Sequence, residues 1–287
     1  MIISWNVRGL NKAGKCREIA ARLKKLNPDF GILVETRVKF SKKDSIRNKL
    51  GGHLSFIDNY QSHENGRLWI FWNPNKVCIK TIKVSDQFIH FSVYKPNGDF
   101  HMWGTAIYAH NTLEKRKVLW SDIESLAQIS QGPWFLMGDF NNVMSVHDRI
   151  GGNPVLEHEF RDLRDMMAAT GLFEKESSGD HFTWSNNQVN GIIYSRIDRV
   201  IRNVIWQQQH ADSKLQIMDH GVLDHALLCL EYKMQQTPVH KSFRFPNVLL
   251  QMEGFESSVK ENWCVEIEGK PMVRLWKKLK RLQQVVK

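Results

Sequence analysis

The tetrapeptide Gly138-Asp139-Phe140-Asn141 follows the apolar run Trp134-Phe135-Leu136-Met137. That pattern reads as a buried strand delivering a carboxylate and a carboxamide to the rim of a sheet, where ligands of α/β folds sit. Two residues apart in extended chain, Asp139 and Asn141 point the same way. The first can orient or deprotonate a water and the second can donate to a phosphate oxygen. Alone, an Asp-x-Asn after a strand is more often a turn or a helix cap. Three further polar sites occupy comparable positions: Asn6 after Met1-Ile2-Ile3-Ser4-Trp5, Glu35 after Phe30-Gly31-Ile32-Leu33-Val34, and Asp224-His225 ahead of Leu227-Leu228-Cys229-Leu230. A Glu at a strand end is usually just solvated, and an Asp-His pair is often a local cap. Together the four supply the residue types that metal-assisted phosphate chemistry requires. Glu35 is a hard oxygen ligand suited to Mg²⁺, which takes only one or two carboxylates.

In order along the chain, Asn6, Glu35, Tyr108 with Asn111, Gly138-Asp139-Phe140-Asn141, Ser195-Arg196-Ile197-Asp198-Arg199 and Asp224-His225 resemble the endonuclease/exonuclease/phosphatase family, which includes DNase I and the abasic-site endonucleases. Ser4-Trp5-Asn6-Val7-Arg8-Gly9-Leu10, Asp148-Arg149-Ile150-Gly151-Gly152 and Phe182-Thr183-Trp184-Ser185 resemble most the endonuclease domain that opens plant non-LTR (LINE-type) retrotransposon polyproteins. The resemblance covers residues 1 to 233. It implies a four-layered αββα sandwich and hydrolysis of DNA phosphodiester bonds with Mg²⁺ or Mn²⁺, the nick serving target-primed retrotransposition. By resemblance, Asp139 handles the attacking water, Asn141 holds phosphate and water, and His225 contacts the phosphate as a protonated donor kept in place by Asp198. Tyr108 and Asn111 donate to phosphoryl oxygens. Glu35 is the metal ligand, Asn6 a neutral ligand or its support, and Asp224 lies near the metal. Leu223 stands where the family usually has Ser or Thr, removing a hydroxyl expected beside the site. Arg8 replaces a second metal-proximal carboxylate of many abasic-site enzymes, and His110 a residue that is commonly Pro. Competing readings are an abasic-site repair enzyme, a phosphatase of inositol phosphates or lipids, and a decayed, non-catalytic DNA-binding remnant.

Composition agrees with a polyanionic partner. Lys and Arg number 40 against 30 acidic residues, a formal net charge of +10, and cationic side chains on phosphates release counterions. With 42% hydrophobic residues in 287 the chain can build a large core. Cys16, Cys78, Cys229 and Cys264 are scattered, so neither a zinc site nor a disulfide framework is expected, and a reducing compartment, nuclear or cytoplasmic, is. No run approaches the roughly 18 apolar residues of a membrane span, and Met1-Ile2-Ile3 is too short for a signal peptide. A monomer with no membrane contact is expected.

Apolar periodicity predicts a helix over Lys15–Leu26, stopped at Asn27-Pro28, then the strand to Glu35. Strands are predicted at Trp69–Trp72, Val77–Val84, Phe88–Tyr94 and Phe100–Tyr108, the last two joined by a hairpin at Pro96-Asn97-Gly98-Asp99. Helices are predicted at Leu113–Gln131 and Glu157–Thr170, the latter closed by Gly171. This mixed order suggests two packed sheets with helices outside. The expected domains are 1–234, the hydrolase, and 235–287, a basic segment. Pro238 to Lys287 holds ten Lys or Arg against five Glu, with an amphipathic helix expected over Met272–Val286. Lys241-Ser242-Phe243-Arg244-Phe245 onward resembles the linker ahead of reverse transcriptase, a segment that could touch element RNA. An isolated or truncated endonuclease segment is therefore expected. Trp103 and Trp184 could stack or wedge at DNA, with core packing the expected role, and target sequence is not legible.

Overall fold

The computed structural model describes residues 1–221, 223–232, 249–250, 252–268 and 271–285. It divides into two compact units, Met1–Met234 and Gln235–Lys287.

In the first unit the chain runs β1 (Ile2–Asn6), α1 (Ala13–Leu26), β2 (Phe30–Val34), α2 (Lys43–Gly51), β3 (Ser55–Asp58), β4 (Leu68–Trp72), β5 (Cys78–Val84), β6 (Phe88–Tyr94), β7 (Phe100–Tyr108), α3 (Leu113–Ile129) and β8 (Trp134–Asp139). It continues through β9 (Arg149–Ile150), α4 (Arg161–Thr170), β10 (Leu172–Glu174), β11 (Ser177–Gly179), β12 (Trp184–Ser185), β13 (Tyr194–Ser195), β14 (Asp198–Asn203), α5 (Val204–Gln209), β15 (Lys214–Met218) and β16 (Leu227–Glu231). One sheet has the order β11-β15-β16-β1-β2-β4-β3 and the other β10-β14-β8-β7-β6-β5, while β12-β13-β9 form a small third sheet.

Alternation along each strand sorts side chains into three apolar layers. Ile2, Phe30, Ile32 and Ile70 of the first sheet meet Phe91, Met102, Phe135 and Met137 of the second. On the outer face of the first sheet, Ile3, Trp5, Leu33 and Trp69 pack on Cys16, Ile19 and Leu23 of α1 and on Ile46 and Leu50 of α2. On the outer face of the second, Ile107, Trp134, Leu136 and Ile201 pack on Leu119, Ile123 and Leu126 of α3 and Leu163 and Met166 of α4. The fold is thus the expected four-layered αββα sandwich. Its central strands are covered on both faces, which is why they read as continuous apolar runs.

Expected Glu157–Thr170 is instead a 3₁₀ turn at Glu157–Glu159 followed by α4. Phe160, between them, has φ −120 and is buried; anchoring that ring in the core breaks the helix. Gly171 closes α4 in the left-handed conformation at φ 65, as predicted.

In the second unit, α6 (Phe255–Trp263) pairs with α7 (Pro271–Val285), and Lys278 Nζ donates to the Trp263 carbonyl at 2.6 Å. Met272, Leu275, Trp276 and Leu279 of α7 are exposed. The linker-like residues 241–245, and Val286 of the expected helix, lie outside the described residues. Among the described residues no helix is long and apolar enough to cross a membrane.

The glycine ahead of Asp139 has a packing cause. Gly138 has φ +146, and a Cβ there would lie 2.0 Å from the Ile107 carbonyl oxygen of β7. Gly138→Ala must therefore break the β7–β8 ladder or move it. A loss of about 3 kcal/mol or more is expected, read as a lowered midpoint in denaturant unfolding; a midpoint equal to wild type would refute this close approach.

Candidate active site

Strand direction gathers the polar residues. β1 and β2 are parallel, with Asn6 beside Val34, and carry Asn6 and Glu35 to one rim. β7 and β8 are parallel, with Tyr108 beside Asp139. β14 runs antiparallel to β8 and starts at this rim, placing Asp198 opposite Asp139. β16 is antiparallel to β1, so His225, just ahead of β16, arrives at the same end.

Asp139 is buried and accepts two hydrogen bonds, from Asn6 Nδ2 at 2.9 Å and from the Asn141 backbone N–H at 2.8 Å. His225 Nδ1 lies 2.9 Å from Asp198 Oδ2, which leaves Nε2 for the cavity. One ligand-capable atom from each of Asp139, Asp198 and His225 falls within 4.8 Å of the others. Desolvation and then the charge of Asp198 push the Asp139 carboxyl well above the usual carboxylate range, against the opposing pull of His225. Burial alone would lower the His225 pKa, but the charge and hydrogen bond of Asp198, with Asp139 and Asp224, raise it to about 9.

Glu35 sits across the cavity. Its Oε1 accepts from the Tyr108 hydroxyl at 2.8 Å and Arg37 Nη2 at 2.8 Å, whereas buried Oε2 has no hydrogen-bond partner among the described residues. Burial, then the Glu35 charge, drives the Tyr108 phenol far above its ordinary value, so it remains a neutral donor. Arg8, Glu35, Arg37 and Asn141 all have positive φ, at 39, 57, 50 and 45. For non-glycine residues this is an uncommon conformation, and its concentration here marks loops held under strain around a site.

Of the nine expected site residues, Asn6, Glu35, Tyr108, Asn111, Asp139, Asn141 and His225 line one cavity of about 420 Å³. Asp198 stands behind His225, and Asp224 is joined to Arg8. Asn6 spends both ends of its carboxamide inside the protein, donating to Asp139 and accepting from the Arg8 N–H at 3.0 Å. Asn141 Nδ2 donates to the Ala109 carbonyl at 2.7 Å, leaving its other amide hydrogen for a ligand. His110 turns away to Asp86, Nε2 to Oδ2 2.7 Å.

The sequence reading missed the wall formed by the small sheet. Arg149, Asn153, Trp184, Ile193 and Ser195 line the cavity. Trp184, expected in the core, is half-buried there, its ring centroid 6.4 Å from that of His225; Trp103 instead stacks on His90. The available signal was the pair of charged phrases around Asp148 and Arg196. Arg199 is buried and pairs with Asp148 Oδ2 at 2.6 Å and Glu174 Oε1 at 2.7 Å, and Arg196 reaches the same Glu174 oxygen at 2.9 Å. These pairs fix β9 and β13 to β14 and leave Asp198 free to face His225.

Fold and cavity together are an αββα sandwich that gathers carboxylates, amides and an imidazole at one rim. The sequence matches the Endonuclease/Exonuclease/phosphatase family over residues 3–225, and the chain belongs to that family. Solved structures of other proteins share its fold. The endonuclease domain of TRAS1, a telomere-specific non-LTR retrotransposon, aligns with TM-score 0.63 at 10% identity, covering 82% of this chain and 99% of that one. A 3′ phosphatase from Neisseria bound to a product DNA hairpin gives 0.61 at 14% identity, covering 81% and 98%. An AP endonuclease from Leishmania major gives 0.59 at 13%, covering 79% and 85%. No curated protein matches the chain by sequence.

Leu223 does not sit where the sequence reading put it. Its side chain is buried in the apolar layer that Ile3 and Trp5 share with α1, so it is part of the core rather than a lost hydroxyl at the site. Leu223→Ser should cost about 3 kcal/mol through a cavity and a buried hydroxyl. Thermal unfolding should show a melting temperature several degrees lower, and an unchanged one would contradict this placement.

Proposed function

We propose that this chain is a divalent-metal-dependent endonuclease that hydrolyses DNA phosphodiester bonds, nicking a strand to prime reverse transcription. The observation that carries the reading is the buried Asp139–Asp198–His225 cluster facing, across one cavity, a Glu35 oxygen that has no hydrogen-bond partner among the described residues. An orphaned buried carboxylate oxygen fits a hard cation, so Glu35 would hold the ion, with Asn6 supporting the neighbouring loop and Asp224 near by. When bound, Mg²⁺ or Mn²⁺ supplies Lewis-acid polarisation of a phosphoryl oxygen.

The protein's own groups divide the remaining work. Asp139, held by Asn6 and the Asn141 N–H, takes a proton from a water as that water attacks phosphorus. The water oxygen bonds to phosphorus, and the ester oxygen departs with the bonding pair and takes a proton from solvent to become the hydroxyl. Cationic His225, oriented and kept charged by Asp198, donates from Nε2 to a phosphoryl oxygen and stabilises the extra negative charge of the transition state. Tyr108, Asn111 and Asn141 are placed to donate to the remaining oxygens.

DNA as substrate is supported by the net charge of +10, by Arg149 and Asn153 on the cavity wall, and by the resemblance of the site phrases to plant LINE-type endonucleases. The fold is also shared with a retrotransposon endonuclease. A nick that exposes a 3′ hydroxyl is what a reverse transcriptase needs as primer. Intact site residues and a core position for Leu223 favour activity over a decayed remnant.

Nicking of supercoiled plasmid by the full chain tests this. Mg²⁺-dependent nicking, abolished by EDTA, should fall at least about a hundredfold in His225→Ala and in Glu35→Gln. The rate should rise with pH as Asp139 loses its proton, above the usual carboxylate range, and fall near pH 9 as His225 loses its charge. Variants that nick like wild type would overturn the assignment, and much faster cutting of an abasic duplex would shift the reading to repair.

A further inference from the structure

We infer that Arg8 is a resident counter-cation of the Glu35 and Asp224 carboxylates, one that a divalent ion must displace, so that Arg8 sets how much metal the site requires. This rests on the reading that Glu35 holds the ion.

The guanidinium is placed by construction. Arg8 is in the left-handed conformation at φ 39, unfavourable for a residue with a Cβ. Its backbone is pinned there: the Arg8 N–H donates to Asn6 Oδ1 at 3.0 Å, and Lys15 Nζ donates to the carbonyls of Val7 at 2.8 Å and Arg8 at 3.1 Å. From that anchor Nη1 donates to Asp224 Oδ2, and Nε lies 3.6 Å from Glu35 Oε2. The latter is the oxygen that lacks a hydrogen-bond partner. Arg8 therefore lies on the approach to the ligand atom without satisfying it.

Charge gives the consequence. Glu35 and Asp224 carry two negative charges, and Arg8 and Arg37 return two positive ones. With Lys15 Nζ also close to Asp224, these carboxylates are already compensated, and a dication entering gains little unless a guanidinium leaves. Arg8 can leave: its side chain is 46% exposed, against 13% and 11% for Glu35 and Asp224. Protons will not do the same job. Burial lowers the Arg8 pKa, but the hydrogen bond and charge of Asp224, then the charge of Glu35, leave it above its ordinary value, so the side chain stays cationic. A purely structural staple would also join these carboxylates, but its removal would loosen the site and weaken metal binding.

Calorimetric titration of the full chain with Mn²⁺, without DNA, separates the cases. Arg8→Gln, which keeps hydrogen-bonding capacity and drops the charge, and Arg8→Ala should both bind about tenfold more tightly than wild type. Arg8→Lys, which keeps the charge, should bind within about twofold of it. Glu35→Gln should abolish binding in wild-type and Arg8→Gln backgrounds. Equal or weaker binding by folded Arg8→Gln, with binding still lost in Glu35→Gln, would overturn the role of Arg8 alone. Mn²⁺ binding indifferent to Glu35→Gln would overturn the metal assignment beneath it, and the inference with it.

Discussion

Two carboxylates cannot be buried face to face unless something neutral or positive joins them. Asp139 and Asp198 are opposite each other in the β8–β14 ladder, both almost without solvent. Desolvation and mutual repulsion would protonate one of them. His225 relieves this as a cation, reached from a different sheet, so its imidazolium joins the Asn6–Asp139 and Tyr108–Glu35 hydrogen bonds in linking the first and second sheets at this rim. Much of the remaining architecture serves that arrangement. The strand register sets Asp198 against Asp139, and the Trp5 indole donates to the His225 carbonyl at 3.1 Å. Thr183 Oγ1 accepts the backbone N–H groups of Ile197 and Asp198 at 3.0 and 2.9 Å.

The same economy appears on the Glu35 side. The loops after β1, β2 and β8 each place a non-glycine residue in the left-handed region, and each is tied down by a neighbour. The Gly9 and Leu10 N–H groups donate to the Glu35 and Thr36 carbonyls at 2.7 and 2.9 Å, so the loop carrying Arg8 and the loop carrying Glu35 support one another. Preorganisation of this kind lets charged groups act without reorganising when a substrate arrives.

Much of this was legible in the sequence, for identifiable reasons. Central strands covered on both faces spell themselves as apolar runs, and a polar residue closing such a run has nowhere to go but the rim. That logic found Asn6, Glu35, Asp139 and His225. It failed where short strands are stabilised by buried charge rather than by apolar alternation. β10 to β14 contain Arg199 and Arg202, both buried, and their text reads as solvated loop. With those strands went the cavity wall of Arg149, Asn153 and Trp184. Leu223 was misplaced because its neighbours in sequence, Asp224 and His225, face the site, whereas the turn directs Leu223 into the opposite layer. A single sequence does not show which way a turn residue points.

The imidazolium is the claim on which the rest depends, and NMR titration of the His225 ring in the wild-type chain, free of metal and DNA, measures it directly. The geometry predicts that His225 stays protonated through pH 8 and titrates near 9, two or more units above an exposed imidazole. A ring that loses its proton near pH 6.5 would mean that Asp139 and Asp198 do not share it, and the proposed division of labour would fail.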